Sequence, residues 1–173
     1  MGIAVFDLDS TIADTSPRHH LSPFVNPEET WHSYAKACAN DKPMWGTIEM
    51  IRTYSVLHKI HIVTGRRSTA REETISWLDR YKVPWNCLRM REETDLYSNT
   101  DFKIDYMRSI QDGPIVLFVS DWSPECQAVR NLLGVPSLCV NPEYSTKNGS
   151  DPTMGEQWDN PVSKGTNRLI YDR

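Results

Sequence analysis

Two carboxylates stand two residues apart in Val5-Phe6-Asp7-Leu8-Asp9-Ser10-Thr11, where an apolar run delivers them at its end. In an extended chain that spacing puts both on one face. If the backbone turns after Asp7, one carboxylate can attack an electrophilic centre while the other moves a proton. The same residues also suit a simple Asp-rich loop in which Asp9 and Thr11 cap a turn. Two further apolar runs end in comparable groups: Ile62-Val63 meets Thr64-Gly65-Arg66-Arg67, and Leu117-Phe118-Val119 meets Ser120-Asp121. Thr64 offers a hydroxyl, and the amides of Gly65 and Arg66 precede a helix, where an anion is favoured. Asp121 could join Asp7 in a hard-oxygen Mg²⁺ site, because Mg²⁺ is commonly held by one or two carboxylates and keeps several waters. Lys103 is a further candidate on a helical segment over 101–111, although a lone helical Lys is otherwise a solvated side chain.

The elements that must position these groups alternate. Apolar runs at residues 3–6, 60–63, 87–90, 115–119 and 137–140 read as buried parallel strands, with helical patterns between them. Helix starts are marked by Asn26 before Pro27-Glu28-Glu29, by Thr69 with Glu72 three residues on, and by Ser123 before Pro124. The helix from Ser123 stops at Gly134 in a left-handed cap. The pattern predicts an α/β fold in three layers, α/β/α, with a central, mostly parallel five-stranded sheet over residues 1–140. In such a sheet the polar strand ends converge on one crevice. Only 52 residues separate Thr11 from Thr64. They are used by helices near 26–40 and 46–57, so any cap is minimal, a small lid insertion around 16–45. Residues 141–173 hold three Pro and three Gly and few branched aliphatics, which predicts an extended tail. Trp158, Tyr144 and Tyr171 could pin that tail across the domain or to another copy of the chain.

The chain has 173 residues, 39% of them hydrophobic, enough for one main domain. A formal net charge of -4 excludes a global basic field, so a nucleic-acid partner must meet a local patch. No apolar stretch approaches the length of a membrane span, and the start of the chain carries no leader pattern. Cys38, Cys87, Cys126 and Cys139 form no CxxC pair and read as reduced thiols, which points to the cytoplasm. Among other polar groups, Arg66 reads as a substrate contact, while Arg67 and Arg71 read as partly solvated partners of Glu72 or Glu73. Trp122, directly after Asp121, is placed to line a pocket, and His19 and His20 could hold substrate or cap a loop.

Residues 1–140 resemble the haloacid dehalogenase superfamily of phosphotransferases, whose four motifs occur here in order. The resemblance implies that Asp7 is the nucleophile, Asp9 the acid and base, and Thr64 and Lys103 the second- and third-motif groups. It makes Thr11 the first-loop threonine and Asp121 the fourth-motif metal ligand. Mg²⁺ is the implied cofactor, held by Asp7, by the main-chain carbonyl of Asp9 and by Asp121. A closer resemblance is to the 3′-phosphatase domain of phage and bacterial polynucleotide kinase-phosphatases. It rests on Asp7-Leu8-Asp9-Ser10-Thr11-Ile12-Ala13-Asp14-Thr15, Arg18-His19-His20, Thr64-Gly65-Arg66, Met90-Arg91, Asp101 and Lys103. It implies that Arg18, Arg66 and Arg91, with Thr11 and Gly65, bind substrate. Ser10 replaces the usual glycine of the first loop, Ser120 stands where an aspartate is frequent, and Glu125 occupies the place of a later acidic residue. No GxxxxGK[ST] loop is present, so any kinase would be a separate protein.

The function implied is a Mg²⁺-dependent phosphomonoester hydrolase that forms an aspartyl-phosphate and removes 3′-phosphates from nucleic-acid ends. The alternatives are a phosphatase of free nucleotides and, outside enzymes, a decayed binding or assembly protein that kept the fold. The partner is thus a phosphorylated nucleic-acid end or a nucleotide. A homo-oligomer through the tail is also open, and a phage-encoded protein would act in the host cytoplasm.

Overall fold

A computed structural model describes residues 1–23 and 25–140. The expectations for 141–173, including the anchoring roles of Trp158, Tyr144 and Tyr171, lie outside the described residues. The elements run β1 (Ile3–Phe6), β2 (Ala13–Asp14), α1 (Trp31–Lys36), β3 (Lys42–Pro43), α2 (Trp45–Ser55) and β4 (Lys59–Arg67). They continue with α3 (Arg71–Arg80), β5 (Cys87–Arg91), α4 (Asn99–Ser109), β6 (Ile115–Ser120), α5 (Ser123–Leu133) and β7 (Ser137–Cys139). Five strands form one sheet in the order β5-β4-β1-β6-β7, every pair parallel.

Both faces of this sheet are covered, which is why the central strand β1 is apolar throughout rather than alternating with polar residues. Ala4 and Phe6 of β1 pack with Ile48 and Ile51 of α2 and with Trp77 and Leu78 of α3. Ile3 and Val5, pointing the opposite way, pack with Phe102, Ile104 and Met107 of α4 and with Cys126 and Val129 of α5. Phe6 is fully buried, and truncation of such a side chain to Ala costs about 3–5 kcal/mol. The expected three-layer α/β/α architecture with a central five-stranded sheet is therefore the observed one. β1 lies in the middle, flanked by β4 and β6, so the strand order reverses about it. Its carboxyl end is the crevice where ligands bind in open α/β sheets.

Several helix boundaries differ from the sequence pattern. The helix expected after Asn26 begins at Trp31, because Thr30 and Ser33 form a reciprocal capping box at 3.1 and 3.2 Å. The Asn26 side chain instead accepts from the Glu28 N–H at 3.3 Å, an Asx turn. Thr69 caps nothing; its hydroxyl donates to Glu93 Oε1 at 3.0 Å. α4 starts two residues before the expected position, at Asn99, since the Ser98 side chain accepts from the Asp101 N–H at 3.0 Å. Among the described residues no helix is long and apolar enough to cross a membrane, and all four cysteines are free.

Two helix ends carry left-handed residues of opposite suitability. After α5 the stop is Gly134 at φ 66°, with open space where a Cβ would stand, whereas beyond α3 it is Lys82 at φ 51°. Glycine accepts this conformation freely, and an L-residue pays about 1 kcal/mol for it. Lys82→Gly should therefore raise the unfolding free energy by up to about 1 kcal/mol and Gly134→Lys lower it by a similar amount. Urea denaturation of the two variants tests this, and shifts of the same sign would defeat it.

Candidate active site

Three strand ends build the cleft. β1 ends in a loop that holds Asp7 through its N–H to Val119 O at 2.8 Å, and then turns at Ser10. Ser10 adopts φ 59°, a left-handed conformation that glycine takes more freely than an L-residue. Asp7, Asp9, Ser10, Thr64, Gly65, Arg66 and Asp121 line one cleft, joined by Thr15, Tyr34 and Asn99. A Cβ on Gly65 would overlap the Asn99 side-chain amide, so a larger residue here would have to displace that amide from the cleft.

Beneath the cleft, behind Asp7 and outside the lining, Lys103 is fully buried, with Nζ at 2.9 Å from both Asp7 Oδ1 and Glu125 Oε2. Ser120 Oγ donates to the same Glu125 oxygen at 2.7 Å. Glu125, from the first turn of α5, thus accepts from both Lys103 and Ser120 through one oxygen, and its other oxygen is buried without a hydrogen-bond partner. Burial raises the Asp7 carboxyl to about 7, with Lys103 pulling down and Glu125 pushing up. Asp121 is raised well above its ordinary value, by burial and then by the negative charge of Asp7. Lys103 is held as the ammonium, since Asp7 and Glu125 outweigh the burial that opposes its charge. Thr11 is fully buried beneath the site: it accepts from the Asp121 N–H at 2.9 Å and donates to Asp121 Oδ1 at 3.3 Å. Both bonds hold Asp121 in place, and Thr11 itself is outside the cleft lining.

The second carboxylate is held differently. Asp9 receives hydrogen bonds from Arg18 Nη2 at 2.6 Å and from Arg66 Nη2 and Nε. Burial alone would raise its carboxyl, but the charges of Arg66 and Arg18 outweigh it and hold it at about 2. Asp41 completes the network: Arg18 Nε reaches its Oδ1 at 2.8 Å, Arg18 Nη2 its Oδ2 at 3.0 Å, and Arg66 Nη2 its Oδ2 at 3.2 Å. Burial, opposed by Arg18, pushes Asp41 to about 6. The Trp77 indole donates to Asp41 O at 2.8 Å, fastening the network to α3. Arg18 also lies 4.1 Å from the centre of the Tyr34 ring.

This arrangement changes three assignments. Arg18, expected to meet substrate, is 1% exposed and fully engaged with Asp9, Asp41 and Tyr34 O. Arg66 does line the cleft, yet its guanidinium is committed to Asp9, Asp41 and Thr74. Arg91 is fully buried outside the cleft lining and reaches toward Asp95 O at 3.5 Å. Trp122 is half-buried and likewise outside the lining, as are His19 and His20. Arg67 bonds to the carbonyls of Glu92 and Asp95, and Arg71 to Leu88 O, rather than to Glu72 or Glu73. No sequence signal marks Asp41 or Tyr34, whereas Thr15 closes the first-loop motif. Asn99 could have been found from Ser98 and Asp101, whose spacing is that of a helix cap.

Among the described residues no group of three or more His, Cys, Asp and Glu side chains is arranged to hold a metal. The donor set nevertheless suits a hydrated Mg²⁺ site: two carboxylates, Asp7 and Asp121, lie close enough for each other's charge to be felt, and a cation would relieve that repulsion.

Asp9 gives the site an acid-sensitive component. Its folded pKa of about 2 lies below the ordinary 3.8, so between these values the folded chain binds fewer protons than the unfolded one. The stability it contributes is complete above about pH 4 and is lost as pH falls toward 2. Asp9→Asn should flatten the pH dependence of urea-unfolding free energy across that window; an unchanged slope would remove these ion pairs from the account. Asp41→Asn, which leaves two buried guanidinium groups facing one carboxylate, should lower stability by about 3 kcal/mol at neutral pH.

No family model matches the chain, and no curated protein matches it. Solved structures do. A chain of the Pnkp1/Rnl/Hen1 RNA repair complex matches at a TM-score of 0.68 and 20% identity, covering 80% of this chain and 42% of its own length. This chain therefore spans less than half of that one. The HAD-hydrolase YfnB from Bacillus subtilis, bound to magnesium, matches at 0.57 and 12% identity, over 82% of this chain and 89% of its own. A haloacid dehalogenase-like family hydrolase from Streptococcus pneumoniae matches at 0.54 and 12% identity, over 80% and 84%. At these identities the likeness is one of architecture: the parallel five-stranded sheet between two helical layers is the haloacid dehalogenase-like Rossmannoid fold.

Proposed function

We propose that the protein is a phosphomonoester hydrolase that works through an aspartyl-phosphate and removes 3′-phosphates from nucleic-acid ends. The observation that carries the reading is the pairing of differently held carboxylates in one cleft. Asp7 stands against the Lys103 ammonium at 2.9 Å, and Asp9 is turned into place by two guanidinium groups. Such divergent environments separate a nucleophile from a proton carrier. The likeness of fold to a chain in an RNA repair complex supports a nucleic-acid end as substrate, and four free cysteines suit the reducing cytoplasm.

In this reading an Asp7 oxygen attacks phosphorus and the ester oxygen leaves. Lys103 and the Thr64 hydroxyl bind phosphoryl oxygens as charge moves onto them. Water then attacks the aspartyl-phosphate, with Asp9 accepting its proton, and inorganic phosphate departs with Asp7 restored. Asp9 is ready for that second step as a carboxylate. To protonate a departing alkoxide it must first take up a proton against Arg18 and Arg66, which makes the first step the harder one for alkyl esters. Asp7, Asp121 and the Asp9 carbonyl would hold Mg²⁺, which when bound supplies positive charge for the phosphoryl oxygens. Glu125 and Thr11 orient Lys103 and Asp121.

Asp7→Asn should abolish turnover of every substrate. Asp9→Asn should form the phospho-enzyme from nitrophenyl phosphate and then accumulate it, detectable as acid-stable labelled protein, while losing alkyl phosphates altogether. Equal loss for both substrates with no trapped intermediate would remove Asp9 from proton transfer. Chelation by EDTA should silence the enzyme and Mg²⁺ restore it; full activity after exhaustive dialysis against EDTA would remove the metal. Among substrates, a 3′-phosphorylated oligonucleotide should show the highest kcat/KM. Preference for mononucleotides would transfer the assignment to nucleotide hydrolysis, and no turnover of any ester would leave a binding protein.

A further inference from the structure

The cleft is a small, partly open slot of about 20 Å³ lined by charged and polar groups. On the phosphatase reading the phosphoryl group enters this slot, so whatever carries the phosphate must lie on the rim. β5 runs parallel to β4, and the loop that follows it, residues 92–98, leaves the sheet at the same edge as Thr64. Asn99, the next residue, lines the cleft. This rim loop exposes two adjacent apolar side chains, Leu96 at 69% and Tyr97 at 59%. They are presented by a fastened backbone. Arg67 donates to the carbonyls of Glu92 and Asp95, and Ser68 Oγ to Glu92 Oε2 at 2.6 Å. Thr69 Oγ1 donates to Glu93 Oε1 at 3.0 Å, the Glu92 N–H to Asp95 Oδ2 at 3.1 Å, and Ser98 caps α4. An exposed apolar pair between the anchored residues 92–95 and the Ser98 cap, two positions before Asn99 of the cleft lining, is a preorganised contact surface.

We propose that Leu96 and Tyr97 form a platform on which the base of the phosphate-bearing nucleotide stacks. The proposal rests on the phosphatase reading and names the part of the substrate that the cleft does not reach. A ring face beside an aliphatic side chain accepts any base, because every base has a π-face. The same loop carries Glu92, Glu93 and Asp95, which oppose a phosphate backbone laid along it. The platform therefore takes one base, and the rest of a polynucleotide leaves in another direction.

The test compares wild type, Tyr97→Ala and Tyr97→Phe on three substrates: a 3′-phosphorylated oligonucleotide, the same strand with an abasic terminal residue, and acetyl phosphate. Tyr97→Ala should raise KM for the base-bearing strand about 5- to 150-fold, the equivalent of one stacking contact, with kcat unchanged. Tyr97→Phe should restore it, and turnover of the abasic strand and of acetyl phosphate should not move. In Asp7→Asn protein, 2-aminopurine at the terminal position should be quenched on binding, and Tyr97→Ala should remove the quench. An unchanged KM on the base-bearing strand, or an equal loss on the abasic one, overturns the platform and leaves the phosphatase standing. Wild-type turnover of acetyl phosphate alone overturns the nucleic-acid reading and the platform together, and no turnover of any substrate overturns the phosphatase as well.

Discussion

Two arginines buried beneath a cleft impose the constraint on which the site depends. A guanidinium cannot shed its charge inside a protein, so burying Arg18 and Arg66 requires anions at hydrogen-bond distance. Asp9 and Asp41 supply them, two charges against two. The four residues come from three segments: the loop after β1, the insertion between β1 and α2, and the end of β4. The insertion consists of two two-residue strands, a six-residue helix and short 3-10 turns, far too little to be stable by itself. The charge network, with Trp77 bonded to Asp41, therefore holds the insertion on the sheet and fixes the aim of Asp9 in the same act.

The neighbouring cluster has the opposite balance. Lys103 faces Asp7 and Glu125, with Asp121 beside them, so three buried carboxyl groups share one ammonium. Asp7 and Asp121 are both displaced upward, by burial first and by the neighbouring carboxylates next, whereas the paired arginines outweigh burial and displace Asp9 downward. A phosphate dianion meeting such a floor would be repelled unless a cation accompanied it, and this is the physical content of proposing Mg²⁺ there. One network is closed and structural; the other is left short of positive charge at the point where an anionic substrate would arrive.

How much of this the sequence shows depends on the range of each interaction. Strands buried on both faces read as apolar runs, and their polar ends, Asp7, Thr64 and Asp121, are legible because a parallel sheet brings them to one edge. Gly134 is legible as a helix stop for a local reason, its left-handed φ. Asn26 misleads for a local reason too, since Thr30 with Ser33 makes the better cap four residues later. Asp41 is not legible. It is 32 positions from Asp9 and 25 from Arg66, and nothing in Asn40-Asp41-Lys42 distinguishes a network carboxylate from an exposed one. Arg18 and Arg91 are legible as important but not in role: a residue type suited to phosphate is equally suited to a carboxylate or a carbonyl.

A pinned insertion also decides where selectivity can reside. Swinging it away would break buried ion pairs worth about 3–5 kcal/mol to whichever partner is left alone, so the slot above Asp7 keeps its shape whether or not it is filled. On the phosphatase reading, a small slot of fixed shape would recognise a phosphoryl group and nothing of what carries it. Such an enzyme, with no movable cap among its described residues, would choose its substrate with groups outside the slot, on surfaces that are rigid before the substrate comes. The β5–α4 loop meets that requirement. Arg67 holds its backbone through the carbonyls of Glu92 and Asp95, Ser68 and Thr69 hold the Glu92 and Glu93 side chains, and Leu96 and Tyr97 are the large apolar side chains it exposes.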